Sequence, residues 1–137
     1  HLVRVMGPSS CAFKAVELAG PVIDAMSIEG RQTLCGQAMF LGATTMLIAP
    51  DAKTLAYMAG RARLDLEPVH PDPDAVYERV VHIDVSDLAP IVVVPPSPAN
   101  TRDLAEHLGT EVHVGYLGSC ASGRMEDLRA AAQVLRG

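Results

Sequence analysis

Cys120 is the side chain whose type and setting could do the most chemistry. It stands in Tyr116-Leu117-Gly118-Ser119-Cys120-Ala121-Ser122-Gly123-Arg124. Before it, Val112, Val114 and Tyr116 alternate with His113, Gly115 and Leu117, which predicts a strand. After it, Met125, Leu128, Ala132 and Leu135 recur at three- and four-residue steps, which predicts one buried face of a helix. Cys120 is therefore expected at a strand-to-helix turn. Free backbone N–H groups and the positive helix end favour a thiolate there, the form that binds metal or attacks. Glu126 and Asp127 fall in the first helical turn, where the dipole also favours acids. Spacing alone does not choose between that use and a small apolar residue buried in a core.

Other candidates are weaker. The run Gly118 to Gly123 fits neither the Gly-x-Ser-x-Gly elbow nor the lysine-bearing phosphate loop. Its small residues at a helix start could still hold a carboxylate or phosphate through N–H groups alone. His70, His82, His107 and His113 lack metal-ligand pairing, and His82 and His113 are expected at the surface of strands. Asp24, Glu29 and Arg31 could form a polar cluster, though such residues are more often solvated or locally salt-bridged. Cys11 has no partner at ligand spacing and reads as structural or incidental.

The elements that must position these groups follow from composition and pattern. The chain has 137 residues, 49% hydrophobic and 20% charged, enough for one domain with a core. A net charge of -5 gives no electrostatic case for nucleic acid or an anionic membrane as partner, and the absence of tryptophan argues against a base-stacking platform. Three widely spaced cysteines point away from a disulfide scaffold and towards a reducing, cytoplasmic setting. No apolar run approaches the length of a membrane span, and no signal-peptide pattern opens the chain. His1 in place of methionine is expected of a piece of something longer or of a tag remnant.

Leu2–Met6 is too short to classify. Strands are expected over Phe13 to Leu18, Thr44 to Ala49, Val76 to Asp84 and Ile91 to Val94. A helical face of Leu34, Ala38 and Leu41 should end at Gly42. Asp51 should cap a helix with Leu55 and Met58 inward and Gly60 at its end, and Asn100 should cap one carrying Leu104 and Leu108 up to Gly109. Residues 61–75, with Pro68, Pro71 and Pro73, read as a proline-rich surface connection. Strands alternating with helices predict an α/β, αβα layered unit with a largely parallel sheet across residues 1–137. Ligands in such sheets gather at the carboxyl ends of the strands, where Cys120 is expected.

Gly118-Ser119-Cys120, then Arg124 and Glu126-Asp127-Leu128-Arg129-Ala130-Ala131-Ala132, resembles the first cluster-cysteine motif of the aconitase family, in its 3-isopropylmalate dehydratase large-subunit branch. A second block, Ala19-Gly20-Pro21 through Arg61 with Ser27-Ile28-Glu29-Gly30-Arg31 and Thr33-Leu34-Cys35, resembles the same family in the same order. Together the blocks cover roughly half the chain. The resemblance implies an aconitase-type fold and a lyase that isomerises a hydroxy-diacid by removing water and adding it back, as in leucine biosynthesis. It also implies a [4Fe-4S] cluster whose open iron acts as Lewis acid, with Cys120 as one of three thiolate ligands. The family's other two ligands lie in a Cys-x-x-Cys that this chain lacks, so further large-subunit segments and a small swivelling subunit or domain are implied partners. By itself the 137-residue chain should be inactive and hold no stable cluster. Cys11 and Cys35 could replace the missing ligands only if folding brought both beside Cys120.

Departures from the family pattern carry equal information. Where the dehydratases usually place asparagine and, four residues on, glutamate after Thr-Leu-Cys, this chain has Gly36 and Phe40. A phenyl ring neither ligates nor moves a proton. Ala121-Ser122-Gly123 replaces the usual Thr-Asn-Ser. The alternative is a degenerate, non-catalytic aconitase-like domain that binds a small acid or a protein partner without iron.

Overall fold

A computed structural model of the chain describes residues 1–119 and 122–137. Cys120 and Ala121 lie outside the described residues, and so does the structural part of every expectation that rests on them.

The core is built by the first part of the chain. Helix α1 (Leu2–Met6) leads to strand β1 (Ala15–Leu18), short helix α2 (Pro21–Ala25) and helix α3 (Ile28–Gly36). A 3-10 turn (Ala38–Leu41), strand β2 (Thr45–Ile48) and helix α4 (Ala52–Met58) complete it. β1 and β2 pair in parallel with Ala15 opposite Thr45 and Leu18 opposite Ile48, and α3 is the crossover between them. Cys11, Leu41 and Met46 form the buried centre, with Val3, Met6, Val16, Leu18, Leu34 and Cys35 packed around them.

The expected face of Leu34, Ala38 and Leu41 does reach this core, but the helix is broken after Gly36 and resumes as the tighter 3-10 turn. Gly42 ends it with φ +70°, a left-handed residue whose missing Cβ leaves room for Ser9 at 3.1 Å. β1 begins two residues later than expected because Phe13 has φ 62° and is almost wholly exposed, which no strand residue can combine. Asp51 caps α4 by accepting from the Thr54 N–H at 2.9 Å, as its position predicts. Leu55, expected inward, is exposed; α4 is tied to α3 by polar contacts instead.

Beyond residue 60 the pattern-based strands fare differently. Residues 61–75 carry neither helix nor strand and are mostly exposed. Val76 to Asp84 is not a strand. The segment lies beside β1, where Lys14 donates to Glu78 at 2.7 Å and the Tyr77 hydroxyl donates to Glu17, and among the described residues no backbone ladder joins the two. A cleft of about 540 Å³, lined by Met6, Val16, Leu18, Tyr77, Val81 and Ile83, separates the two. The alternation survives as burial: Val81 and Ile83 are half-buried and His82 is exposed.

Strand β3 (Ile91–Val93) forms as expected and pairs antiparallel with β4 (Thr101–Asp103). That pairing overturns the helix expected after Asn100. The Asn100 carbonyl accepts from the Val94 N–H at 2.9 Å, closing the proline-containing return, and the following residues pair with β3 instead of coiling. Only a 3-10 turn (Leu104–His107) follows. The expected strand over Val112 to Tyr116 is also absent. Val112, Val114 and Tyr116 are 73%, 83% and 86% exposed, and no partner strand among the described residues reaches them. Helix α5 (Met125–Leu135) does form, with Glu126 and Asp127 in its first turn. Its predicted buried face is largely uncovered: Met125 is 53% and Leu135 83% exposed.

Among the described residues, then, a two-stranded parallel pair with helices is compatible with an α/β class, and the second pair is antiparallel. No helix among the described residues is long and apolar enough to cross a membrane.

Candidate functional site

The site is built where the two sequence blocks meet. Ser27 is the N-cap of α3; its hydroxyl accepts from the Gly30 N–H at 2.9 Å. The same hydroxyl donates to the Glu126 carboxylate on α5, with oxygens at 2.7 and 2.9 Å. In return, the Glu126 N–H donates to a Glu29 carboxylate oxygen at 3.2 Å. Each helix start thus faces a carboxylate from the other, the placement that free N–H groups and the dipole favour.

The described residues on either side of positions 120 and 121 are joined by hydrogen bonds. The Ser119 N–H donates to the Ser122 carbonyl at 3.0 Å. A Cβ on Gly123 would stand 3.1 Å from the Gly118 Cα, so the two glycines permit an approach that other residues would block. One Asp127 oxygen accepts from both the Gly123 and Arg124 N–H groups at 2.9 Å, fastening the end of the turn to α5.

Four residues after Ser27 along α3, Arg31 is 5% exposed. It donates to Asp51 at 2.6 Å and to the carbonyls of Ile23 and Asp24 at 3.1 Å. Lys53 joins it on the Asp24 carbonyl at 2.6 Å, so two cations serve the carbonyl end of α2. The bond from Arg31 holds the Asp51 carboxyl well below the usual carboxylate range, helped by the Thr54 N–H, and Asp51 in turn raises Arg31. The expected grouping of Asp24, Glu29 and Arg31 is therefore split: Arg31 takes the backbone of Asp24 and the side chain of Asp51, whereas Glu29 faces α5.

The other two thiols belong to the core. Cys11 is buried in the core, and burial pushes the Cys35 thiol up from its ordinary range. Among the described residues, no group of three His, Cys, Asp or Glu side chains could hold a metal ion. The described residues thus do not fit a three-thiolate cluster. Among the described residues the histidines form no metal-holding group, and His113 lies 3.8 Å from Glu111. Gly36 is the last residue of α3, at the far end from Ser27, and Phe40 lies beyond it. Gly36 is about 10 Å along the axis from Glu29, and Phe40 is 37% exposed.

Residues 1–111 match the family model described as "Aconitase family (aconitate hydratase)". The chain belongs to the aconitase family. It is 47% identical over its whole length to the 3-isopropylmalate dehydratase large subunit of Oleidesulfovibrio alaskensis, covering 32% of that protein. It is 40% identical to the protein of the same name from Heliobacterium modesticaldum, covering 33% of it. A probable methanogen homoaconitase large subunit of Methanosarcina mazei is 39% identical, with 35% covered. The chain spans about a third of the length of these curated relatives. Within the family framework, Ser27, Glu126 and Asp127 are the residues that sequence reading underrated. Ser27 three residues before Gly30, and Asp127 three after Arg124, were the available capping signals.

Proposed function

We propose that this chain is part of the large subunit of an aconitase-type hydro-lyase that isomerises a hydroxy-diacid by dehydration and rehydration. The relatives named 3-isopropylmalate dehydratase support that substrate class. The layered αβα arrangement with a largely parallel sheet is completed by segments outside this chain. Cys120 supplies one thiolate to a [4Fe-4S] cluster, and a Cys-x-x-Cys elsewhere in the longer protein supplies the other two. A small swivelling subunit closes the site, a partnership in keeping with relatives called large subunits. Residues 61–75 act as a surface connection within one domain. Free thiols at Cys11 and Cys35 suit the cytoplasm.

The observation that carries this reading is the joining of the two motif blocks: Ser27 and Glu29 reach across 97 or more residues of sequence to the first turn of the helix after Cys120. Its test is turnover. The full-length protein with its small subunit should interconvert 2- and 3-isopropylmalate, and the 137-residue chain should not. No interconversion by the full-length assembly sinks the enzyme reading.

One observation favours a second reading, a degenerate domain that binds a small acid or protein without iron. Phe40 presents a half-exposed ring at a position where the family usually has a carboxylate, and Gly36 contributes no side chain at all. Iron content of the purified full-length protein separates the two readings.

A further inference from the structure

We infer that Ser27, Glu29 and Glu126 form a two-way clasp that fixes the start of α5, and the Ser119–Ser122 bond joined to it through Asp127, against α3, making all three positioning residues. The inference deepens the proposed function and takes its meaning from the reading of Cys120 as the functional thiol. The clasp itself stands on described geometry.

A serine hydroxyl has one proton. Ser27 spends it on Glu126, at 2.7 or 2.9 Å, while its lone pair serves the Gly30 N–H. Glu29 completes the circuit by accepting from the Glu126 N–H. Glu29 and Glu126 bear like charges, yet each sits at the positive start of the other's helix, which offsets their repulsion. Space at the clasp is tight. A Cβ at Gly30 would stand 3.2 Å from the Ser27 Oγ and 3.6 Å from a Glu126 oxygen.

From Glu126 the bonds continue to the turn. Asp127 grips the N–H groups of Gly123 and Arg124, and Ser119 closes on Ser122. Apolar packing offers little alternative anchorage. Met125, Val134 and Leu135 are 53%, 81% and 83% exposed. Polar bonds at its first turn therefore set where α5 starts, and with it where the turn stands.

The test uses the full 137-residue chain and needs no iron. Peptide-resolved hydrogen exchange follows residues 27–31 and 122–128, and mass spectrometry follows the rate of Cys120 alkylation by iodoacetamide in the native and urea-unfolded chain. Glu126→Ala is the cleaner variant, since it spares the Ser27 cap on α3. It should raise exchange over 122–128 about tenfold, the scale of one charge-assisted hydrogen bond lost from a local opening. It should also move Cys120 alkylation towards the unfolded-chain rate while Cys35 stays unchanged. Over 122–128 Ser27→Ala should do the same, Ser27→Thr should restore both readouts, and the double variant should exceed neither single one; over 27–31 Ser27→Ala and the double variant alike lose the cap as well. Native exchange and native Cys120 reactivity in Glu126→Ala, or additive effects in the double variant, overturn the clasp. Cys120→Ser should leave the exchange pattern native, so a failure of the iron reading and a failure of the clasp give different results.

Discussion

The two ends of α3 differ in kind. At its start, Ser27, Glu29 and Arg31 bind α5, α4 and the carbonyls of α2, and Arg31 is buried while doing so. At its end, Gly36 is exposed and bare, and Phe40 beyond it contributes a backbone carbonyl to Ser9 and a half-exposed ring. The start is held by polar bonds to other elements; near the end Leu34 and Cys35 pack on the core, while Gly36 and Phe40, the positions that depart from the family pattern, stay exposed.

That contrast sets the order of expected effects. Leu41→Ala should cost most, about 3 kcal/mol, because Leu41 is the fully buried aliphatic side chain at the core's centre and its loss leaves a cavity. Arg31→Met should follow at about 2 kcal/mol. It removes the guanidinium bonds to Ile23, Asp24 and Asp51, but Met26 and Lys53 still serve the two carbonyls, Thr54 still serves Asp51, and Asp51 is partly solvated, all of which discount the penalty. Urea titrations of the chain check both; an Arg31→Met as stable as the parent would mean that the start of α3 is no more structural than its end.

The Arg31–Asp51 pair also predicts a pH response. Asp51 is depressed in the folded chain, so its unfolded form binds protons first as pH falls. The contribution is complete above about pH 4, the ordinary carboxylate value, and is lost progressively below it. Asp51→Asn should flatten that acid limb in a pH series of thermal melts, and an unchanged limb would remove Asp51 as its source.

How much of this was legible beforehand follows from which interactions the signals report. Local signals held: Gly42 ends its turn, Asp51 caps α4, and Thr45–Ile48 is a strand beside Ala15–Leu18. Strand signals failed where they depended on a partner. Val112 to Tyr116 alternates as a strand should, yet alternation states only that one face seeks burial, and nothing described covers it. Asn100 looked like a cap because the antiparallel pairing of Thr101–Asp103 with Ile91–Val93 is a tertiary fact. In the site, the aconitase resemblance was readable from motifs. The link between Ser27 and Glu126, 99 residues apart, was not, since no local period relates them.

Smaller effects sharpen the contrast at the other end of α3. Gly36→Asn and Phe40→Glu, together restoring the usual family residues, should each change stability by less than about 0.5 kcal/mol because neither site is buried. In the full-length assembly the pair should raise isopropylmalate turnover over the parent. A large stability change without any gain in turnover would show that these positions are structural after all.

The most direct test of the central claim is anaerobic reconstitution of the full-length protein with iron and sulfide, read by visible absorption and iron content, beside its Cys120→Ser variant. The account predicts the broad absorption of a [4Fe-4S] cluster in the parent and its loss in the variant. A colourless parent, or a variant that holds the cluster as well as the parent does, would contradict it.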